Sequence, residues 1–329
     1  CQNELIEKVA AVQPNTVVVL HNGSPVVMPW IDKVKGIVEA YLGGQAVGGA
    51  VCDILYGRVN PSAKLPETFP LRLEDNPSYL SYIGEGDMVE YREGIFVGYR
   101  YYDKKKMDVL FPFGHGLSYT TFEYSNLKVD KEEMKDTDTM RVSVDVTNTG
   151  SVAGKEVVQL YVADRESTVI RPVKELRGFE KVELAPGETK FILEQRAFAY
   201  YSVRIHDWHV ETGEFDIMVG KSSQDIVLTK TVKVESTVKL PFVYTTDTTM
   251  GDVSKDPRAL AIVQEVTKGG MFGDRPQEPE SSVASEAISE EMNAAMFEYM
   301  PLRGMISFTG SATMADVQAL VDRLNALDE

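Results

Sequence analysis

The sequence predicts an α/β portion, then an antiparallel β-sandwich, then a helical tail, and three patterns carry that expectation. A helical repeat leads into an unbroken β-branched run near the start, short alternating strands with turn signals fill the middle, and helical spacing returns at the end. The divisions fall at residues 1–121, 122–240 and 241–329.

Leu5, Ile6, Val9 and Val12 lie on one side of an amphipathic helix over Gln2 to Val12. After the breakers Pro14 and Asn15, Thr16 to Leu20 reads as a strand buried on both faces, the pattern of a parallel sheet. Ile31, Val34, Ile37, Val38 and Tyr41 recur at helical spacing and predict a second helix, stopped by Gly43 and Gly44. Val47, Val51, Ile54 and Leu55 predict a third, in which Gly48 and Gly49 permit close backbone packing. One central strand does not make a covered sheet, so further strands are expected outside the chain. The helical pattern is already running at Gln2, after Cys1 rather than Met, and the sequence is read as part of a longer protein.

From Phe122 the period changes to two. Met140, Val142, Val144 and Val146 share one face, an Asn-Thr-Gly turn follows at Asn148 to Gly150, and Val158, Leu160 and Val162 repeat the pattern. Phe191 with Leu193, and Phe215 with Ile217 and Val219, continue it, with Ala185 to Glu188 as a turn. In the tail, Asp256 and Pro257 read as a cap and first helical residue ahead of Leu260, Val263 and Val266. Arg275 to Ser289 is polar. Thr313 opens a final helix whose Met314, Val317, Leu320, Val321, Leu324 and Leu327 form an apolar stripe, expected to dock on a partner domain.

Composition excludes several classes. A formal charge of −16 with no basic stripe argues against nucleic acid, and no apolar run approaches the roughly 20 residues of a membrane span. Cys1 and Cys52 are the only cysteines, which leaves no disulfide framework and no cysteine zinc site.

Two stretches are the most informative: Glu93 to Asp103 (EGIFVGYRYYD) and Phe111 to Phe122 (FPFGHGLSYTTF). With Gly43 to Gln45, Asp53 to Gly57 and Val59 to Pro66 upstream, they resemble, in order, the C-terminal half of family 3 glycoside hydrolases of the β-glucosidase type. Asn148 to Val162, Leu176 to Phe179 and Pro186 to Thr189 are similar to that family's fibronectin type III-like domain, and Met300 to Arg303 is similar to the C-termini of some bacterial members. The resemblance implies a partial α/β sandwich domain, a fibronectin type III-like β-sandwich and a helical C-terminal tail. It also implies a retaining exo-acting β-glucosidase that removes terminal β-linked glucose, with carbohydrate as substrate and no cofactor or metal.

Retention needs two carboxyl groups roughly 5 Å apart, one attacking the anomeric carbon and one protonating the leaving oxygen. In the resembled family the nucleophilic aspartate sits on an N-terminal (β/α)8 barrel, the implied partner, and the acid/base glutamate lies in a Glu-Gly segment just before the first helix. Both are therefore expected upstream of Cys1, with no catalytic residue in this chain, which alone should be inactive. Glu85, between Gly84 and Gly86, superficially resembles such a segment, but a solvated loop cannot hold a general acid protonated near neutrality. Tyr91 and Glu93 are the candidates for the substrate-cleft rim, Tyr91 by stacking on a sugar ring. A core or domain-interface tyrosine, and an ion pair from Glu93 to Arg92 or Arg100, are their structural alternatives. His115 has no carboxylate in its motif, and His21, His206 and His209 are dispersed, so it is read as structural. The rival functional class is a non-catalytic carbohydrate-binding or structural interaction module. Against it, the sandwich carries only Trp208 and no row of tryptophans.

Overall fold

The computed structural model describes residues 2–184, 187–193, 195–238, 240, 242–268, 295, 298–309 and 313–327. They form two compact units, Cys1–Val238 and Lys239–Glu329.

The first unit opens with α1 (Gln2–Val12) and β1 (Val17–Leu20), which pairs in parallel with β2 (Gly36–Glu39) in the register Leu20 to Glu39. The helix expected over Ile31 to Tyr41 is corrected: only Ile31–Lys33 is a 3-10 turn, and Ile37 and Val38 belong to β2. A strand in a parallel sheet need not alternate, so its apolar residues can fall by chance at helical spacing. Nor is β1 buried on both faces, since its other residues are half-buried and Val17 is exposed. Trp30, Met28 and Phe69 form the small core under this pair, and Trp30 Nε1 donates to Asn3 Oδ1 at 2.9 Å. α2 (Val47–Leu55) buries no residue, and nothing lies within 4 Å of a Cβ built on Gly48 or Gly49, so the expected close packing is not made within the described residues. β3 (Phe69–Pro70), α3 (Tyr99–Lys105) and β4 (Val109–Phe111) follow, with β3 and β4 antiparallel.

The sandwich begins at β5 (Phe122–Val129). β6 (Glu133–Lys135), β7 (Met140–Asn148), β8 (Gly154–Asp164), β9 (Glu175–Leu184) and β10 (Gly187–Leu193) follow. After α4 (Gln195–Phe198) come the short pair β11 (Tyr200–Ser202) and β12 (Asp207–His209), then β13 (Gly213–Gly220) and β14 (Ile226–Glu235). One sheet has the order β10-β7-β5 and the other β6-β14-β13-β8-β9. The ladders are antiparallel except that β6 joins β14 in parallel. Met140, Val142, Val144 and Val146 from one sheet share a fully buried core with Val158, Leu160, Phe215, Ile217 and Val219 from the other. Period-two alternation brings them onto the inner faces, as the sequence predicts. Of the expected turn between β9 and β10, Ala185 and Pro186 lie outside the described residues.

The second unit contains α5 (Met250–Ser254), α6 (Pro257–Lys268), α7 (Met305–Thr309) and α8 (Met314–Asn325). Asp256 caps α6, its Oδ1 accepting from Arg258 N at 2.9 Å, and Thr313 with Asp316 forms a capping box on α8. Val317, Leu320, Val321 and Leu324 are buried against Ala259, Val263, Tyr244, Leu302 and Met305. The stripe is thus satisfied by its own unit and does not by itself require an outside partner, while Met314 is exposed. Arg275 to Ser289 lies outside the described residues. No helix among the described residues is long and apolar enough to cross a membrane.

Candidate functional site

The segment between β3 and α3 is a loop whose apolar residues face outward. Leu80 and Ile83 are 90 % and 93 % exposed, and Tyr82, Met88, Val89, Ile95 and Val97 are exposed with them. A tight turn holds the middle, with Glu85 N donating to Met88 O at 3.0 Å and Met88 N to Glu85 O at 3.1 Å. Gly84 takes a φ of +73°, where a side chain would meet Met88 O. Tyr91 is 88 % exposed, so the core alternative for it is not realised. Glu93 is half-buried, and its carbonyl accepts from Phe96 N at 2.9 Å. The ion pairs considered for Glu93 form elsewhere: Arg92 pairs with Glu90 at 2.6 Å and Arg100 with Glu175 at 3.1 Å. Glu85 is exposed, the setting of a solvated carboxylate.

The base of this loop is fixed to the sandwich. Tyr99 stacks on Phe113 at 4.8 Å and meets Tyr161 edge-on at 6.1 Å, and its hydroxyl accepts from Leu176 N at 2.8 Å. Asp103 pairs with Lys174 at 2.6 Å, both largely buried. Below, Asn60 Oδ1 accepts from Ser118 Oγ and Tyr119 N, both at 2.8 Å, while its amide donates to Ala153 O at 3.1 Å. Gly114, with a φ of +80°, lets the chain pass the Gln159 side chain, which donates to Gly114 O at 3.0 Å, and a Cβ there would collide with it. The second hallmark stretch is a crossing between two layers, held by side chains from both.

His115 belongs to that crossing. Its ring stacks on Phe111 at 5.1 Å, and burial, with the Lys64 charge nearby, holds its pKa below the ordinary imidazole value. Lys64 and Glu156 form a buried ion pair at 2.9 Å beside it, with Tyr124 Oη donating to Glu156 at 3.2 Å. A cavity of about 540 Å³ opens here, its lining including Lys64, His115, Glu156, Lys221 and Asp225 beside Leu117 and Phe122. No carboxylate hydrogen-bonds the imidazole among the described residues, in keeping with a structural histidine.

One cluster escapes sequence reasoning. At the carboxyl end of β2, Glu39 Oε1 accepts from Tyr41 N at 2.9 Å, Tyr41 takes a φ of +44°, and Tyr41 Oη lies against Glu67 without a hydrogen bond of good geometry. Burial raises the Glu67 pKa, Tyr41 opposing and the Glu39 charge adding to the rise. The reading of Ile31 to Tyr41 as a helix hid it, because it lies where a strand ends. Glu39 Oε2 is sealed from solvent, so a glycoside cannot reach it. Among the described residues no group of three or more metal-ligating side chains is gathered.

A parallel pair is thus locked to an antiparallel sandwich, and the loop between β3 and α3 raises a crest of exposed apolar and aromatic side chains beside the joint. Residues 1–119 match the glycosyl hydrolase family 3 C-terminal domain, and residues 156–223 match the fibronectin type III-like domain. The chain belongs to glycosyl hydrolase family 3 and is a C-terminal portion of that architecture. It is 54 % identical to thermostable beta-glucosidase B of Acetivibrio thermocellus over 99 % of its own length and 43 % of the relative's. It is 41 % identical to an exo-alpha-(1->6)-L-arabinopyranosidase of Bifidobacterium breve over 100 % of this chain and 42 % of the relative. The structure of a family 3 beta-glucosidase of Bifidobacterium adolescentis superposes with a TM-score of 0.71 at 45 % identity, covering 80 % of this chain and 39 % of that one. The chain spans less than half the length of these relatives.

Proposed function

We propose that the chain is the C-terminal portion of a retaining, exo-acting β-glucosidase that hydrolyses terminal β-linked glucose from glycosides. The nucleophilic aspartate belongs to an N-terminal (β/α)8 barrel, and the acid/base glutamate precedes Cys1. The chain contributes the far rim of the cleft, where Tyr91 stacks on a sugar ring and Glu93 accepts hydrogen bonds from sugar hydroxyls. The observation that carries this reading is the crest, a run of large apolar side chains held in water on a base that the Tyr99 stack and the Lys174–Asp103 pair make rigid. Exposed apolar area of this kind is a contact surface in waiting. The relative named as a beta-glucosidase supports the reaction, and the one named as an arabinopyranosidase supports assaying a second sugar.

The test joins the part of the Acetivibrio thermocellus relative that lies outside the match to this chain and assays aryl β-glucosides and α-L-arabinopyranosides. The joined protein is expected to turn over the glucoside with retention, and the 329-residue chain alone to stay at the buffer blank. In the joined protein Tyr91→Ala should raise KM with little change in kcat, the mark of binding shared by ground and transition states. Turnover by the chain alone, or an inactive but folded joined protein, would overturn the reading.

A further inference from the structure

Three arginines from two separate segments of the chain converge on one carboxylate. Arg100 of α3 reaches Glu175 Oε1 through Nη2 at 3.1 Å, while Arg177 of β9 and Arg171 of the preceding loop reach Oε2 at 2.6 and 3.7 Å. Arg171 also meets Asp164 at 2.8 Å and Phe198 O at 3.3 Å, and Arg177 donates to Ala199 O at 3.2 Å. The adjacent Lys174 is closed on Asp103 and contributes no net charge. Within these ion pairs three guanidiniums share two carboxylates, one more cation than anion, in a chain whose net charge is −16.

The donors show the same deficit. Nε of Arg100 and Nε of Arg177 are sealed from solvent and find no acceptor among the described residues. A guanidinium has five N–H donors and no acceptor, so only an acceptor can satisfy these two, and a buried donor left unpaired is costly. Water would fill the hydrogen bonds without balancing the charge; an anion does both. Burial pulls the Arg177 pKa below its ordinary value; Glu175 opposes, and the neighbouring guanidiniums of Arg171 and Arg100 add to the pull. Arg171 and Arg177 are largely buried, but the Arg100 side chain is 35 % exposed and gives the way in.

We infer that the Arg100–Arg171–Arg177 cluster is a binding site for a small oxyanion, a carboxylate or a phosphate-type ion, seated beside Glu175 between α3 and β9. Engaging the sealed Nε groups takes a rotamer change of Arg100, the exposed member, and such changes are fast. The bound ion would supply the missing negative charge and brace the base of the crest.

The test uses the 329-residue chain, with thermal unfolding and calorimetric titration in sodium acetate, phosphate or sulfate against sodium chloride at equal ionic strength. One oxyanion should raise the midpoint saturably, by about 3 °C at ten times its Kd, and chloride should not. Acetate acting alone identifies a carboxylate site, and phosphate or sulfate acting alone a tetrahedral one. Arg100→Gln should abolish the response while unfolding in chloride no earlier than the parent, since it removes surplus charge. Arg177→Met repeats the test deeper in the cluster. Equal effects of chloride and the oxyanions, or a response retained in Arg100→Gln, would overturn the site.

Discussion

The sandwich and the α/β portion share one compact unit, yet their apolar residues meet opposite fates. In the sandwich, Val142, Val144, Leu160 and Ile217 are wholly buried, each strand finding its complement on the facing sheet. In the α/β portion, α1 and α2 bury nothing, and Leu42, Tyr56, Leu80 and Ile83 stand in water. Both regions obey the same hydrophobic rule. The difference is that a two-sheet sandwich closes on itself, whereas a parallel pair needs cover on both faces and here has only the small core of Met28, Trp30 and Phe69 under it. Burial therefore separates what stabilises this chain from what it offers to a partner.

The largest expected effect tests that separation directly. Leu160→Asp places an unpaired charge in the sandwich core and should cost more than about 4 kcal/mol, whereas Ile83→Asp on the crest should change stability by no more than about 0.5 kcal/mol. Trp30 and Trp208, the two tryptophans, both lie in the first unit, so their fluorescence in urea reports on it alone. Comparable losses for the two variants would mean that the crest is covered in solution and the contrast is false.

The sandwich was legible because alternation is a local pattern: Met140 to Val146 points to one face whatever surrounds it. The α/β portion was less so, since Ile31 to Tyr41 satisfies helical spacing while forming a 3-10 turn and a strand. The stripe on α8 was visible, but not what fills it, because Tyr244, Val263 and Leu302 come from separate short elements. The crossing at Phe111 to Phe122 could be recognised by its motif, with Gly114 where positive φ is needed. The arginine cluster and the Glu39–Tyr41–Glu67 group could not, because only the topology brings Arg100 to Arg171 and Arg177, or Glu67 to the end of β2. Exposure of Tyr91 is likewise a property of the fold rather than of its neighbours in sequence.

A second prediction concerns the joint between the two regions. Lys64, from the α/β portion, and Glu156, from the sandwich, form a buried pair, so Lys64→Met leaves a buried carboxylate with Tyr124 as its remaining hydrogen-bond donor among the described residues. Removing one partner of such a pair costs about 3–5 kcal/mol, whereas Lys64→Met with Glu156→Leu should recover most of the loss. Urea midpoints of the single and double variants give the coupling. A loss below about 1 kcal/mol for the single variant would show that the joint is wet and the pair carries little.

The smallest effect is a pH slope at the same joint. The folded-state pKa of His115 is depressed, chiefly by burial and then by the Lys64 charge, so the folded chain favours the neutral ring. Its contribution to stability is complete above the unfolded value of about 6.5 and is lost as the pH falls through the folded value, because the unfolded chain takes up the proton first. His115→Phe keeps a ring against Phe111 and removes the proton site, so its stability should fall less steeply than the parent's below about pH 6.5. Lys64→Met removes the second cause and should shallow the slope in part, even as it lowers stability at every pH. Urea midpoints at several pH values separate the two, since one variant changes the slope alone and the other both slope and level. If parent and His115→Phe run parallel across that range, the ring titrates in the folded chain as freely as in the unfolded one, and its partial burial at the joint does not favour the neutral form.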